Sequence, residues 1–140
     1  MLCGSTPHTA DVKSWRPEAI EILDKLGFNG TVLVPEFRYW PSGKTPPFNF
    51  LAQVEWEWQA LNSVDLIAFW IPRDLKTLPG FTTNVEFGRY VKNCIYGRPD
   101  NSEKNDYLDW FYEKVTKRKP LNSLYALMAV ADEELEDLMK

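Results

Sequence analysis

The side chains in this sequence that can do proton or nucleophile chemistry are carboxylates: Glu36, Asp65, Asp74 and Glu86, with Glu55 and Glu57 between them. The sole histidine, His8, lies in a polar turn segment and reads as a solvated loop residue, and there is no Ser/His/Asp arrangement at an elbow. Cys3 and Cys94 are isolated thiols without metal-ligand spacing, so no metal site is expected. The sequence contains no G-x-G-x-x-G and no G-x-x-x-x-G-K-[ST], which removes the main support for a dinucleotide reductase or a P-loop kinase, and no organic cofactor is called for. Two carboxylates about 5–5.5 Å apart suit retaining glycosyl chemistry, one attacking the anomeric carbon and one assisting the leaving group. Glu86 carries two readings. Thr83-x-x-Glu86 is a capping box, and pattern alone favours that structural role. The same residue, in the first turn of a helix at a sheet rim, stands beside the free N–H groups of Thr82 and Thr83. Those groups can hold ligand hydroxyls or phosphate, and their field keeps a nucleophilic Glu86 ionised.

Positioning such groups falls to strand-like and helix-like segments that alternate along the chain. Met1 to Cys3 is a short apolar strand running into the turn Gly4-Ser5-Thr6-Pro7. Ser14 is the expected N-cap of a helix from Trp15, with Pro17 in the first turn, Ala19, Ile22, Leu23 and Leu26 at helical spacing, and Gly27 just past its end. Thr31 to Val34 predicts a second, buried strand closed by Pro35-Glu36. A Pro- and aromatic-rich loop from Phe37 to Phe50 offers Tyr39 and Trp40 as a lid over an aromatic ligand. A helix over about Leu51 to Ser63 precedes a third strand, Val64 to Ile71, which Pro72-Arg73-Asp74 ends. Then follow a helix from Thr83 to Val91, a fourth strand at Cys94 to Tyr96, a helix from Asp106 to Thr116, a fifth strand squeezed near Leu121, and a last helix from Leu124. This order predicts an α/β fold, flavodoxin-like or Rossmann-like, with an open parallel sheet of four to five strands and helices on both faces. Ligands in such sheets bind outside the carboxyl ends of the strands. The rim is therefore expected at Gly4 to Thr6, Pro35-Glu36, Pro72 to Asp74 and Gly97-Arg98-Pro99.

On the helix before the third strand, Val54, Trp58 and Leu61 form one apolar face and Ala52, Trp56 and Ala60 another, which suggests an interface. Trp58 reads as core and Trp56 equally as a pocket or dimer contact or as partly buried, while Gln53 and Glu57, one turn apart between these faces, can reach either the rim or solvent, with a solvated face favoured. Asp65 heads a buried strand, where it either serves the site or binds turn amides.

With 140 residues, a net charge of −4, 44% hydrophobic and 26% charged residues, the composition fits a single globular domain over 1–140 and excludes disorder. The acidic balance, without a basic stripe, argues against a nucleic-acid polymer as partner. The longest apolar stretch, Leu66 to Pro72, is too short to span a bilayer, and the N-terminus carries no signal segment. A reduced, cytoplasmic setting without a membrane partner is the expectation.

Several segments together resemble the nucleoside 2-deoxyribosyltransferase-like proteins, including the deoxynucleoside 5′-monophosphate N-glycosidases. They are Leu2-Cys3-Gly4-Ser5-Thr6-Pro7, Ser14-Trp15-Arg16-Pro17-Glu18-Ala19, Gln53-Val54-Glu55-Trp56-Glu57, Val64 to Arg73, and Pro79-Gly80-Phe81-Thr82-Thr83-Asn84-Val85-Glu86-Phe87-Gly88. The resemblance implies cleavage or exchange of the base of a 2′-deoxynucleoside, or of its 5′-monophosphate, with Glu86 attacking C1′ to give a covalent deoxyribosyl-enzyme. It implies that Gly4, Ser5, Thr6, Thr82 and Thr83 hold the sugar or its 5′ substituent, with Asp65 in the sugar-binding set. Gly80, Asn84, Glu36 and Trp56 complete the expected substrate-binding residues. The chain departs from many relatives in having Leu2-Cys3 in place of a tyrosine, and Gly80 where an acid or serine is often found. Asp74 is then the candidate general acid, with Glu36 second, because both fall on rim loops. Asn105 is the nearest match to a polar residue that relatives supply from a neighbouring subunit, which implies a homodimer or larger homo-oligomer. Two other readings stand beside this one: a nucleotide-binding or sensing module without turnover, and an oligomeric scaffold.

Overall fold

Strand residues buried on both faces must divide by parity between two cores, and here that division sets the layers. The computed structural model describes residues 1–7, 11–36 and 49–140. In it β1 (Leu2–Gly4), β2 (Ile67–Trp70) and β3 (Cys94–Gly97) form a three-stranded parallel sheet in the order β1-β2-β3. Leu2 pairs with Ala68 and Gly4 with Trp70; Ile67 pairs with Cys94 and Trp70 with Gly97. Cys3, Ile67, Phe69, Cys94 and Tyr96 enter one core, while Leu2, Ala68, Trp70 and Ile95 enter the other. The first core is covered by α2 (Phe50–Ser63), α3 (Phe81–Tyr90) and α4 (Asp106–Thr116). The second is covered by α1 (Arg16–Lys25) and α5 (Leu124–Leu138). The expected α/β architecture with helices on both faces is present, and it is consistent with a flavodoxin-like fold.

Among the described residues the sheet has three strands rather than the four to five expected. Thr31 to Val34 makes a single ladder-type contact, Leu2 N–H donating to the Leu33 carbonyl at 3.0 Å. β1 offers only three residues to pair with, and Pro35 has no N–H with which to extend a ladder. At the far edge Leu121 forms one parallel bridge with Gly97, donating to Tyr96 O at 3.0 Å and accepting from Arg98 N–H at 2.9 Å. Pro120 stops that contact from growing backward, and Ser123 caps α5 two residues later by accepting from Ala126 N–H. Both edges thus carry extended segments that touch the sheet without lengthening into strands.

Helix starts also differ from expectation in ways that matter for the site. Trp15, not Ser14, is the N-cap of α1; the Ser14 hydroxyl accepts from Arg16 N–H at 3.2 Å, one position outside. Asn49 caps α2, its side chain accepting from Ala52 N–H. α3 begins at Phe81 with Gly80 as its N-cap, so Thr83 lies inside the helix and the Thr83–Glu86 capping box does not form. Phe87, fully buried, meets Phe69 and Tyr96 edge-on at centroid distances of 5.3 and 4.9 Å, which seats α3 on the sheet. Trp58, expected in the core, is 51% exposed and lies against the Arg89 guanidinium at 4.5 Å from the ring centroid, tying α2 to α3 by a cation–π contact. No helix among the described residues is long and apolar enough to cross a membrane.

Candidate active site

The end of β1 is shaped by backbone that only glycine can adopt. Gly4 has φ 151°, and a Cβ there would sit 1.7 Å from the Trp70 carbonyl oxygen of the neighbouring strand. Gly4 leads into Ser5 and Thr6, and this turn is held from below by Arg16, which is 2% exposed. The Arg16 guanidinium donates from Nε to Leu2 O at 3.0 Å, from Nη2 to Gly4 O at 3.1 Å, and from Nη1 to Thr6 Oγ1 at 3.0 Å. It also pairs with Glu36 at 2.6 Å, and Glu36 Oε2 accepts a further hydrogen bond from the Ser14 hydroxyl at 2.9 Å. Several short contacts on one planar cation make this a satisfied buried ion pair.

A second arginine builds the opposite loop. Arg73, 3% exposed just past β2, donates to the carbonyls of Pro79 and Gly80 and to Asn84 Oδ1, while its Nε donates to Asn105 Oδ1 at 3.0 Å. Gly80 adopts the left-handed region (φ 62°), where a Cβ would lie 2.7 Å from Ser5 Oγ. The first turn of α3 is thereby pressed against the turn after β1. The N–H groups of Phe81, Thr82 and Thr83 fall in the first helical turn, where no intrahelical acceptor serves them.

Between these two loops and α2 lies a cavity of about 480 Å³ at the carboxyl ends of β1 and β2. Of the candidate residues, Gly4, Thr6, Glu36, Gly80, Thr82, Thr83 and Glu86 line it. Phe50, Val54 and Phe81 give it apolar walls, suited to a flat ring, and Gln53 and Glu57 add polar groups from α2. Burial, the negative charge of Glu57 next, push the Glu86 carboxyl up to about 7, with Arg16 opposing. Glu57 is itself raised by burial, against the pull of the Gln53 amide and Arg16 toward the ionised form. Glu86 is in the second turn of α3 rather than the first, so the helix terminus does not hold it ionised as expected; desolvation wins. The Cys3 thiol, buried nearby, is pushed far upward by desolvation and then by the Glu86 charge.

Other expected site residues go elsewhere. Ser5 is fully buried behind Gly80, outside the cavity lining, and its hydroxyl has no hydrogen-bond partner among the described residues. Asn84 is committed to Arg73. Asp74 caps its own exposed turn, Oδ1 accepting from Lys76 and Thr77 N–H at 2.9 and 3.0 Å; these bonds lower its pKa and hold it ionised, unlike a general acid. Asp65 is exposed and precedes the amino end of β2, at the end of the sheet away from the cavity. Trp56 is 41% exposed on α2, turned from the face that bears Val54 and Glu57. Asn105 is 2% exposed and bonds Arg73, Ile71 O and the Tyr96 hydroxyl, so it braces its own chain and is not presented to a neighbour. His8, Tyr39 and Trp40 lie outside the described residues.

Arg16 and Arg73 carry no signal of their bracing role in the sequence, and of the two placements open to Gln53 and Glu57, rim or the favoured solvent, it is the cavity that they line. The available signal was spacing: Phe50, Gln53, Val54 and Glu57 recur at three- and four-residue intervals, which puts them on one helical face. No curated protein and no solved structure matches the chain. A family model described as nucleoside 2-deoxyribosyltransferase like matches residues 1–96, a span that holds β1, β2 and every residue lining the cavity. With the larger part of its length covered and the carboxylate-bearing cavity inside that part, the chain belongs to the nucleoside 2-deoxyribosyltransferase-like family.

Proposed function

We propose that the protein cleaves the N-glycosidic bond of 2′-deoxynucleosides, or of their 5′-monophosphates, with Glu86 as nucleophile, and passes the deoxyribosyl group to a second base or to water. The observation that carries this reading is the Glu86 carboxylate in the wall of the cavity, desolvated enough to ionise near pH 7 and held by the buried, fully packed Phe87 beside it. The electron pair of an ionised Glu86 oxygen forms the bond to C1′ as the C1′–N bond breaks and its electrons leave with the base. Attack by the incoming base or water at C1′ then releases Glu86. The amides of Thr82 and Thr83 are available to sugar hydroxyls or to a 5′ substituent. Phe50, Val54 and Phe81 suit the base.

A homodimer or larger assembly belongs to the same reading, supported by the exposed Phe50 and Leu51 of α2 and Phe81 and Val85 of α3. A cytoplasmic setting agrees with two free, buried cysteines. Incubation of wild type and Glu86→Gln with mixed deoxynucleosides, deoxynucleotides and free bases tests the proposal. Released or exchanged base from wild type alone is expected, together with a wild-type mass increase of one deoxyribosyl group on rapid quenching. A folded wild type that neither releases nor exchanges any base overturns it. The second reading, a nucleotide-binding module without turnover, is favoured by one observation: the expected acid Asp74 is outside the cavity. It predicts nucleoside binding that Glu86→Ala leaves unchanged.

A further inference from the structure

Two carboxylates without an ion-pair partner among the described residues line the cavity, from α2 and from α3, and glycosyl transfer through Glu86 uses one of them. When the C1′–N bond breaks, its electron pair ends on the base, and departure is fast only if a proton reaches a ring nitrogen. The donor must line the cavity. Among the described lining residues the acids are Cys3, Glu36, Glu57 and Glu86. Glu36 is consumed as an acceptor by Arg16 and Ser14. Cys3 is a buried thiol, a weak hydrogen-bond donor. Glu86 is the nucleophile. Glu57 remains: it is half-buried, makes no ion pair among the described residues, and has Gln53 one turn before it on the same face.

Resting on the glycosyl reading of this cavity, we infer that Glu57 is the proton donor to the leaving base and, in the second half-reaction, the base that activates the acceptor. In the first half, the Glu86 oxygen–C1′ bond forms, the C1′–N bond breaks, and the Glu57 proton moves to the base nitrogen, leaving a neutral base and a Glu57 carboxylate. In the second half, that carboxylate takes the proton of water or of an incoming base N–H as the acceptor attacks C1′ and Glu86 departs. Burial raises both carboxyls and the Glu57 charge raises Glu86 further, so the two are coupled and a proton on one favours ionisation of the other. Arg16 from α1, Glu36 after the 31–34 segment and neutral Cys3 from β1 are the other groups facing them. Positive charge growing on the sugar beside Glu86 favours the arrangement with Glu86 ionised and the proton on Glu57.

The test compares wild type, Glu57→Gln, Glu57→Asp and Glu86→Gln on the common 2′-deoxynucleosides and on 4-nitrophenyl 2-deoxyriboside, whose leaving group departs as a stable anion. Glu57→Gln is expected to lose ~100-fold or more in kcat on the nucleosides, to lose the alkaline limb of their pH profile, and to keep the rapid first-half burst of 4-nitrophenolate from the nitrophenyl donor while the deoxyribosyl-enzyme accumulates for want of a base. Glu57→Asp is expected to recover part of the nucleoside activity, and Glu86→Gln to lose both activities. A 4-nitrophenolate burst slowed as much as nucleoside cleavage in Glu57→Gln, or unchanged nucleoside turnover, overturns the assignment of Glu57 and leaves Glu86 standing. A wild type inactive on both donors overturns the glycosyl reading itself, and the assignment with it.

Discussion

Glu86 shows how burial and function pull on one side chain. Its carboxyl binds a proton more tightly folded than at its ordinary value of 4.5, so the stability it contributes is full below that value and is lost as pH rises through about 7. Glu86→Gln is therefore expected to stabilise the protein at pH 8 by ~1–3 kcal/mol and to change little at pH 4, read by urea unfolding at the two pH values. Activity runs the other way: nucleophilic attack needs the ionised form, so wild-type kcat/KM falls as pH drops through about 7. A single-turnover pH profile with no loss of rate between pH 8 and 6 would contradict this. Arg16 poses the opposite case, a cation whose partners are all in place. Arg16→Met strands the buried Glu36 carboxylate and is expected to cost ~3–5 kcal/mol, measured by denaturant unfolding, whereas the double variant with Glu36→Leu recovers much of that loss.

Among the elements, α3 decides the geometry of the cavity, and its start rests on Gly80. The left-handed conformation there disfavours any side chain, and a Cβ would also press on Ser5 Oγ. Gly80→Ala is expected to destabilise by ~1–3 kcal/mol and to lower activity by shifting Thr82, Thr83 and Glu86 together. Adding Ser5→Gly removes the clash but not the backbone strain, so a double-mutant comparison should return part of the stability; full return would mean that strain at Gly80 is negligible. Helix identity and three of the strands were legible from the chain, with β3, α4 and α5 beginning within a residue of their expected starts, whereas the strands expected at Thr31 to Val34 and near Leu121 do not form. The start of α3 was not legible, because Thr83-x-x-Glu86 imitates a cap so well. What overrides the pattern is Arg73, whose bonds to Pro79 O and Gly80 O draw the loop inward and let the helix begin two residues earlier.

For the molecule as a whole, the C-terminal helix is part of the core although the family match ends at residue 96. α5 packs on α1, β2 and β3, and Leu127 and Met128 are completely buried there. Leu127→Ala is expected to cost ~2–5 kcal/mol, and a chain cut after residue 97 to lose its cooperative unfolding transition by circular dichroism. Retention of a sharp transition in the truncated chain would show that the second face of the sheet does not depend on α5. The same two-faced burial explains why the sheet functions with three strands: each strand is short, and the helices shield both sides of it.

The sequence by itself determined the alternation of strands and helices, the two-sided burial of the sheet, the rim at the ends of β1 and β2, and the segment that bears Glu86, because each follows from local periodicity, turn chemistry or a motif. Only the tertiary structure decided which carboxylates share a space. Glu57 and Glu86 line one cavity although 29 positions separate them, while Asp74, closer in sequence to Glu86, is spent on its own turn. It also decided their protonation, since desolvation depends on what surrounds a carboxyl in three dimensions and has no signature in the order of residues.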